Sequence, residues 1–142
     1  MDAPPTASLR VIYGDTDQMG VVYYANYLRY FEVARNEWLR ARGHDYRSFE
    51  AEGRFIPVVE VQVRYRSPAR YDDLLDIYTR PIEFRNGSVR FSYALHRQSD
   101  QTLLTEGQTL HACIGRDGRP TRFPEWLLEL LAKDGARDAR SE

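Results

Sequence analysis

Only one long stretch of this chain carries helical spacing, and most of the chain beyond it alternates like a strand. Between Tyr24 and Leu39 the apolar residues are Tyr24, Tyr27, Leu28, Phe31, Ala34, Trp38 and Leu39, while Arg29, Glu32, Arg35, Asn36 and Arg40 fall mostly on other faces. Gly43, preceded by Arg40 and Arg42, supplies a C-terminal stop with cations near the negative end of the helix dipole. The period then shortens to two. Val59, Val61, Val63 and Tyr65 alternate with Glu60, Gln62 and Arg64, and Val89, Phe91, Tyr93 and Leu95 alternate with Arg90, Ser92, Ala94 and His96. Strands are expected over Leu9–Tyr13, Phe55–Tyr65, Leu74–Phe84, Ser88–Arg97 and Leu103–Ile114. Turns are expected at Tyr71-Asp72-Asp73, Asn86-Gly87, Ser99-Asp100 and Asp117-Gly118. Pro81 inside the third of these strands marks an edge or a bulge. A short helix is expected over Pro124–Ala132. The order strand, long helix, then four or more antiparallel strands is α+β, with one long helix wrapped by a curved antiparallel β-sheet.

A chain of 142 residues is one domain with a real core, expected over residues 8–132, with residues 133–142 a flexible tail. A hydrophobic fraction of 42% with 29% charged residues is ordinary for a globular protein. The formal charge of -1 gives no reason to expect nucleic acid or an anionic membrane as the main partner. No apolar run reaches membrane-spanning length, and Met1–Ser8 lacks the basic-then-apolar pattern of a signal, so no membrane insertion and a cytoplasmic location are expected. Cys113 is the single cysteine and reads as a buried small hydrophobe. His44, His96 and His111 show no metal-ligand spacing, and neither a nucleophile elbow nor a phosphate-binding glycine loop is present.

The stretch Tyr13–Tyr27 carries the chemistry. An apolar run ends in a loop bearing Asp15, Asp17 and Gly20, and that loop feeds the long helix. A carboxylate is thereby placed near the unsatisfied N–H groups of a helix N-terminus, which polarise carbonyls and bind anions. Acyl transfer needs an activated attacker and a stabilised oxyanion, and this loop offers one of each.

The chain resembles the hot-dog-fold thioesterases, and among them the 4-hydroxybenzoyl-CoA thioesterase group that includes the Tol–Pal-associated acyl-CoA thioesterases. The resemblance rests on Asp15-Thr16-Asp17-Gln18-Met19-Gly20-Val21-Val22-Tyr23-Tyr24-Ala25-Asn26-Tyr27, continues through Glu32-Val33-Ala34-Arg35, and returns at Tyr71-Asp72-Asp73. It implies a hot-dog fold and hydrolysis of an acyl-CoA to a free acid and CoA. Asp17 would be the catalytic carboxylate, as nucleophile or through a water as general base. Tyr24 would supply the backbone N–H that polarises the thioester carbonyl. Gly20, Val22, Tyr23 and Asn26 would line the substrate site. The resemblance also implies a dimer or tetramer with the active site across a subunit interface, and neither cofactor nor metal. Arg85 and Arg90 are candidate CoA phosphate contacts, alongside Arg64 and Arg66, because guanidinium pairs well with phosphate.

Each of these residues also has a structural reading. Asp15 fits a strand-end or Asx-turn residue better than a catalyst. Gly20 most simply supplies a positive φ or a close backbone approach, and either leaves room for the thioester. Asn26 reads as a residue that caps or orders the loop, and Tyr23 either lines an acyl pocket or packs. Glu32 and Arg35, at i and i+3, read as an ion pair, with Glu32 and Glu37 minor rivals for the catalytic carboxylate. Two rival functions stand beside acyl-CoA hydrolysis: a thioesterase acting on acyl-carrier protein, and a non-catalytic acyl-CoA-binding or scaffold protein in which Asp17 only orders its loop.

Overall fold

The computed structural model describes residues 3–141. Eight strands and three helices follow one another as β1 (Ala7–Arg10), α1 (Asn26–Arg40), α2 (Tyr46–Ala51), β2 (Arg54–Phe55), β3 (Val58–Tyr65), β4 (Leu74–Phe84), β5 (Ser88–Arg97), β6 (Leu103–Ala112), β7 (Ile114–Gly115), α3 (Glu125–Lys133) and β8 (Arg137–Asp138). Six strands form the main sheet, in the order β1-β4-β5-β6-β3, with β8 added in parallel to the end of β4. All the other pairs in it are antiparallel. The α+β layout expected from the sequence is the one observed.

The alternation in β5 does what a half-buried strand requires. Val89, Phe91, Tyr93 and Leu95 are buried beneath α1, while Arg90, Ser92, Ala94 and His96 lie on the opposite face. Phe31 of α1 stacks on Tyr93 with ring centroids 4.2 Å apart. The close approach depends on Gly107 in β6. A Cβ there would stand 2.9 Å from the Phe31 ring and 2.6 Å from the Gln62 carbonyl oxygen. Pro81 coincides with a register shift between Pro81 and Glu83, at a point that neither β1 nor β8 covers. Gly43 ends α1 with φ +87°, and its neighbour His44 donates its N–H back to Leu39.

Several boundaries differ from the sequence reading. Leu9–Tyr13 does not continue as a strand to Tyr13. Pairing with β4 ends at Arg10, and Tyr13–Asp15 coils into a 3-10 turn that carries the chain toward α1. Phe55–Tyr65 is two strands, because Pro57 separates the short β2–β7 pair from β3. The helix α2 had no counterpart in the sequence reading, although Asp45 caps it by accepting the Ser48 N–H at 3.3 Å. The valine face of β3 is largely open, with Val61 45% exposed, because β3 is the terminal strand of the sheet.

The segment after Lys133 is a further correction. Ala136 and Ala139 are buried, Arg137 of β8 is ion-paired to Glu83, and Asp134 accepts hydrogen bonds from Trp38 Nε1 at 3.1 Å and Arg42 Nη2 at 2.6 Å. Residues 134–139 are therefore part of the packed domain, held by small apolar anchors that composition alone does not distinguish from a polar tail.

Candidate active site

The loop before α1 is a tight reversal with Asp17 at its start. The Asp17 N–H donates to the Val21 carbonyl at 2.9 Å, and the Gly20 N–H donates to the Asp17 carbonyl at 3.0 Å. Gly20 takes φ +79°, a left-handed conformation that L side chains avoid, whereas no atom lies within 4 Å of where its Cβ would stand, so of the two expected reasons for glycine the positive φ is the one observed. The carboxylate is oriented from within the turn, with Oδ1 accepting the Met19 N–H at 2.8 Å. Among the described residues the other oxygen, Oδ2, has no hydrogen-bond partner. Asp17 therefore combines a fixed direction with an open lone-pair oxygen.

The base of the loop is anchored to the sheet and to the helix start. The Val22 N–H donates to the Ala69 carbonyl, Val21 pairs with Arg70, and the Tyr23 N–H donates to the Asp15 carbonyl at 2.9 Å. That carbonyl also accepts from Asn26 Nδ2 at 2.9 Å. Asn26 thus ties the helix start to the loop. Val22, expected among the substrate contacts, is instead a core residue, 3% exposed and packed with Val11, Tyr27 and Leu75.

Asp15 and Asp17 are two carboxylates with opposite surroundings. Asp15 is 6% exposed; its Oδ2 accepts the Tyr30 hydroxyl at 2.8 Å and the Ile12 N–H at 3.3 Å, and Arg29 lies 3.8 Å from its Oδ1. Burial and the adjacent Asp15 push the Tyr30 hydroxyl well above the usual phenol range, so it stays protonated and donating. Asp15 is engaged in holding the loop to α1, in line with its structural reading.

Tyr24 lies in the turn leading into α1, whose N-cap, Ala25, offers no side-chain cap. The Tyr23 carbonyl accepts the Asn26 N–H at 2.8 Å. Because the peptide is planar and trans, the Tyr24 N–H on the same unit is aimed the opposite way. Among the described residues that N–H has no partner. It sits at the positive end of the helix dipole, where a developing oxyanion is stabilised. The next peptide is clamped as well, since the Tyr65 hydroxyl donates to the Tyr24 carbonyl at 3.0 Å.

Aromatic rings crowd this end of the helix. Tyr23 and Tyr24 have ring centroids 4.8 Å apart, and Tyr65 meets Tyr27 at 5.4 Å and Tyr24 at 6.5 Å. Tyr23, Tyr24 and Tyr65 remain exposed, as do Tyr13 and Met19. The sequence reading did not select Tyr65. Its only signal was a strand position on the same face as Val61 and Val63, and nothing local ties it to a helix start 41 residues earlier.

The expected arginines are elsewhere. Arg85 lies at the far end of β4 from the Asp17 loop, roughly 30 Å along the strand at ~3.3 Å per residue, and its Nη1 donates to the Ala139 carbonyl at 3.1 Å. Arg90 is 4.0 Å from Glu60 on the outer face of the sheet. Within one chain neither meets Asp17. The expected Glu32–Arg35 pair is also not formed. Arg35 turns inward to the Tyr93 hydroxyl at 3.1 Å, and Glu37 pairs with Arg40. Among the described residues no cluster of side chains could hold a metal ion. Cys113 is buried, and its thiol is pushed up by that burial.

A long helix lying on an antiparallel sheet, entered through the turn that carries Asp17, is the layout of the hot-dog fold. The match to known proteins agrees. Residues 11–131 fit the model of the thioesterase-like superfamily, and the chain belongs to that family. It is 38% identical over 106 residues to the acyl-CoA thioester hydrolase YbgC of Escherichia coli, covering 75% of this chain and 78% of that protein. It is 31% identical over 123 residues to the 1,4-dihydroxy-2-naphthoyl-CoA hydrolase of Thermosynechococcus vestitus, covering 82% and 84%. Among solved structures it superposes on a DHNA-CoA thioesterase from Staphylococcus aureus with a TM-score of 0.82 and 28% identity, over 91% of this chain and 93% of the other.

Proposed function

We propose that Asp17 and the backbone N–H of Tyr24 are the reacting pair of this acyl-CoA thioester hydrolase. Membership of the thioesterase-like superfamily and the activities of the relatives give the reaction: water is added across the thioester, the C–S bond breaks, and a carboxylic acid and CoA leave. The observation that carries the assignment of residues is the contrast between Asp15, buried with Oδ2 accepting from Tyr30 and Ile12 and Oδ1 beside Arg29, and Asp17, which is less buried and has an open Oδ2. In the proposed step the thioester oxygen docks on the Tyr24 N–H while Asp17 either attacks the carbonyl carbon or removes a proton from the water that does. Gly20 and Tyr23 border this position, and the exposed rings of Tyr24 and Tyr65 offer a wall for the acyl group.

Thiol release from a panel of acyl-CoAs tests the activity, and a single turnover in ¹⁸O-labelled water identifies direct attack whenever water opens the anhydride at the Asp17 carbon. If Asp17 attacks directly and water opens the resulting anhydride at the Asp17 carbon, the first acid released carries oxygen from the carboxylate and no label. If Asp17 acts through water, the label appears in the first turnover and Asp17 itself stays unlabelled.

The fold also supports assembly. Among the described residues strand β3 ends the sheet with an unpaired edge, and Val58, Val59, Val61 and Tyr65 along it are all exposed. Such an edge is a template for another strand, and a second copy of this chain is the proposed occupant, giving a dimer or tetramer. Among the described residues no helix is long and apolar enough to cross a membrane.

A further inference from the structure

The Tyr24 amide is steadied from a strand rather than from its own helix. A helix start usually takes a side-chain oxygen at its N-cap, but the N-cap of α1 is Ala25, which has none. The backbone does not close over Tyr24 either. In a regular turn the Leu28 N–H would reach the Tyr24 carbonyl; here it donates to the Ala25 carbonyl at 3.2 Å. Among the described residues the Tyr24 N–H has no partner, and the carbonyl of the same residue has one, the Tyr65 hydroxyl at 3.0 Å. The peptide before Tyr24 is fixed through the Tyr23 carbonyl, which accepts the Asn26 N–H at 2.8 Å. The peptide after it is fixed by Tyr65, 41 residues further along the chain. Tyr24 thus sits between two held peptides, and a side chain of β3 holds one of them.

Tyr65 is itself well placed to hold still. Its backbone pairs with Thr105 at the end of β3, and the next N–H, of Arg66, donates to the Leu104 carbonyl at 2.8 Å. Its ring meets Tyr27 at 5.4 Å, and Tyr27 is only 3% exposed, with its hydroxyl accepting the Ala69 N–H at 3.1 Å. The clamp is therefore rooted in the core, although Tyr65 is half-exposed. Partial burial, then Tyr27 and Tyr24 nearby, push its hydroxyl up, so it stays protonated and donating.

We propose that Tyr65 is a positioning residue for the hydrolysis: its hydroxyl, through the Tyr24 carbonyl, keeps the Tyr24 N–H aimed at the developing oxyanion. A donor fixed beforehand needs no reorganisation as charge builds up, and that is where an oxyanion donor gains its effect. An amide free to swing still meets a neutral thioester, and what it loses is the tighter interaction of the transition state, so the loss falls on kcat. The inference rests on the reading that the Tyr24 N–H receives the thioester oxygen.

Tyr65→Phe is the test, because it keeps the ring against Tyr27 and Tyr24 and removes only the hydroxyl. With hexanoyl-CoA and benzoyl-CoA as substrates, kcat is expected to fall about tenfold, the rate equivalent of one hydrogen bond, with KM near that of the parent. A purely structural role gives the reverse, a lower melting temperature with parental kcat wherever the variant is folded. Infrared difference spectra read the amide itself. The ¹³C-labelled thioester carbonyl of the same two acyl-CoAs, bound to Asp17→Asn so that it is not consumed, is expected to shift to lower frequency, and to shift less when Tyr65→Phe is added. Parental kcat in Tyr65→Phe overturns the proposal, as does a carbonyl shift that the added substitution leaves unchanged. No shift in Asp17→Asn alone, or no turnover of either acyl-CoA by the parent, fails the reading of Tyr24 and takes the proposal with it. Relaxation of the ¹⁵N-labelled Tyr24 amide tests the clamp separately: greater motion in Tyr65→Phe than in the parent supports it, and equal order in the two overturns it whatever the activity.

Discussion

At the scale of single residues, Asp15 and His111 show how burial sets the work of a polar side chain. Asp15 is tied to Tyr30 and Ile12 and holds the loop on the helix. Tyr30→Phe removes a hydrogen bond to a buried charge, and a loss of about 1–3 kcal/mol of stability is expected. Denaturant unfolding measures that loss, and kcat at a temperature where the variant is folded is expected to change far less. His111 carries a pH signature. Its value of about 4 lies below the ordinary 6.5 because the buried ring resists protonation beside Arg35. Between those two values the unfolded chain takes up a proton that the folded chain does not, so stability falls as pH drops from about 6.5 to about 4 and then stops falling on this account. The total is about 3 kcal/mol at 1.36 kcal/mol per pH unit. His111→Gln, with an amide in place of the ring beside Thr109, is expected to flatten that part of the stability profile. A profile of unchanged slope in the variant would exclude His111 as its source.

At the scale of elements, the helix and the central strands were legible because each repeats a period over many residues. Phe31, Ala34 and Trp38 point into the core at helical spacing, and Val89, Phe91, Tyr93 and Leu95 do so at a spacing of two. The site loop was legible because its residue types, two aspartates and a glycine before a helix, limit what the backbone can do there. What escaped were pairings between distant segments. Tyr65 on the Tyr24 carbonyl, Arg35 on Tyr93 and Asp134 on Trp38 each join residues whose neighbours in sequence give no hint of the partner. The short helix α2 escaped because its six residues hold too little periodicity, and only the Asp45–Ser48 cap betrays it. Two substitutions probe the elements directly. Gly107→Ala forces a methyl against Phe31 and the Gln62 carbonyl, and a loss of about 1–3 kcal/mol is expected for overpacking of this kind. Asp134→Ala removes the acceptor of Trp38 and Arg42. It is expected to lower stability by about 1–2 kcal/mol, whereas a freely moving tail would give no change in melting temperature.

At the scale of the whole molecule, the two ends of the sheet are treated differently. One side is finished by β1 and β8, while β3 is left long, open and rich in valine. Light scattering is expected to give the mass of a dimer or tetramer, and Val61→Lys, which places a charge on that edge strand, is expected to shift the distribution toward monomer. A monomeric parent at working concentration would contradict this part of the account. The most direct measurement concerns Asp17 itself. Asp17→Asn keeps the shape of the side chain and an oxygen for the Met19 N–H, and it removes the charge that attacks or activates. Steady-state hydrolysis of one good acyl-CoA substrate, measured beside thermal unfolding, is expected to show kcat reduced by about 10²-fold or more with KM and melting temperature close to those of the parent. A folded Asp17→Asn enzyme with near-parental kcat would show that the reacting carboxylate lies elsewhere.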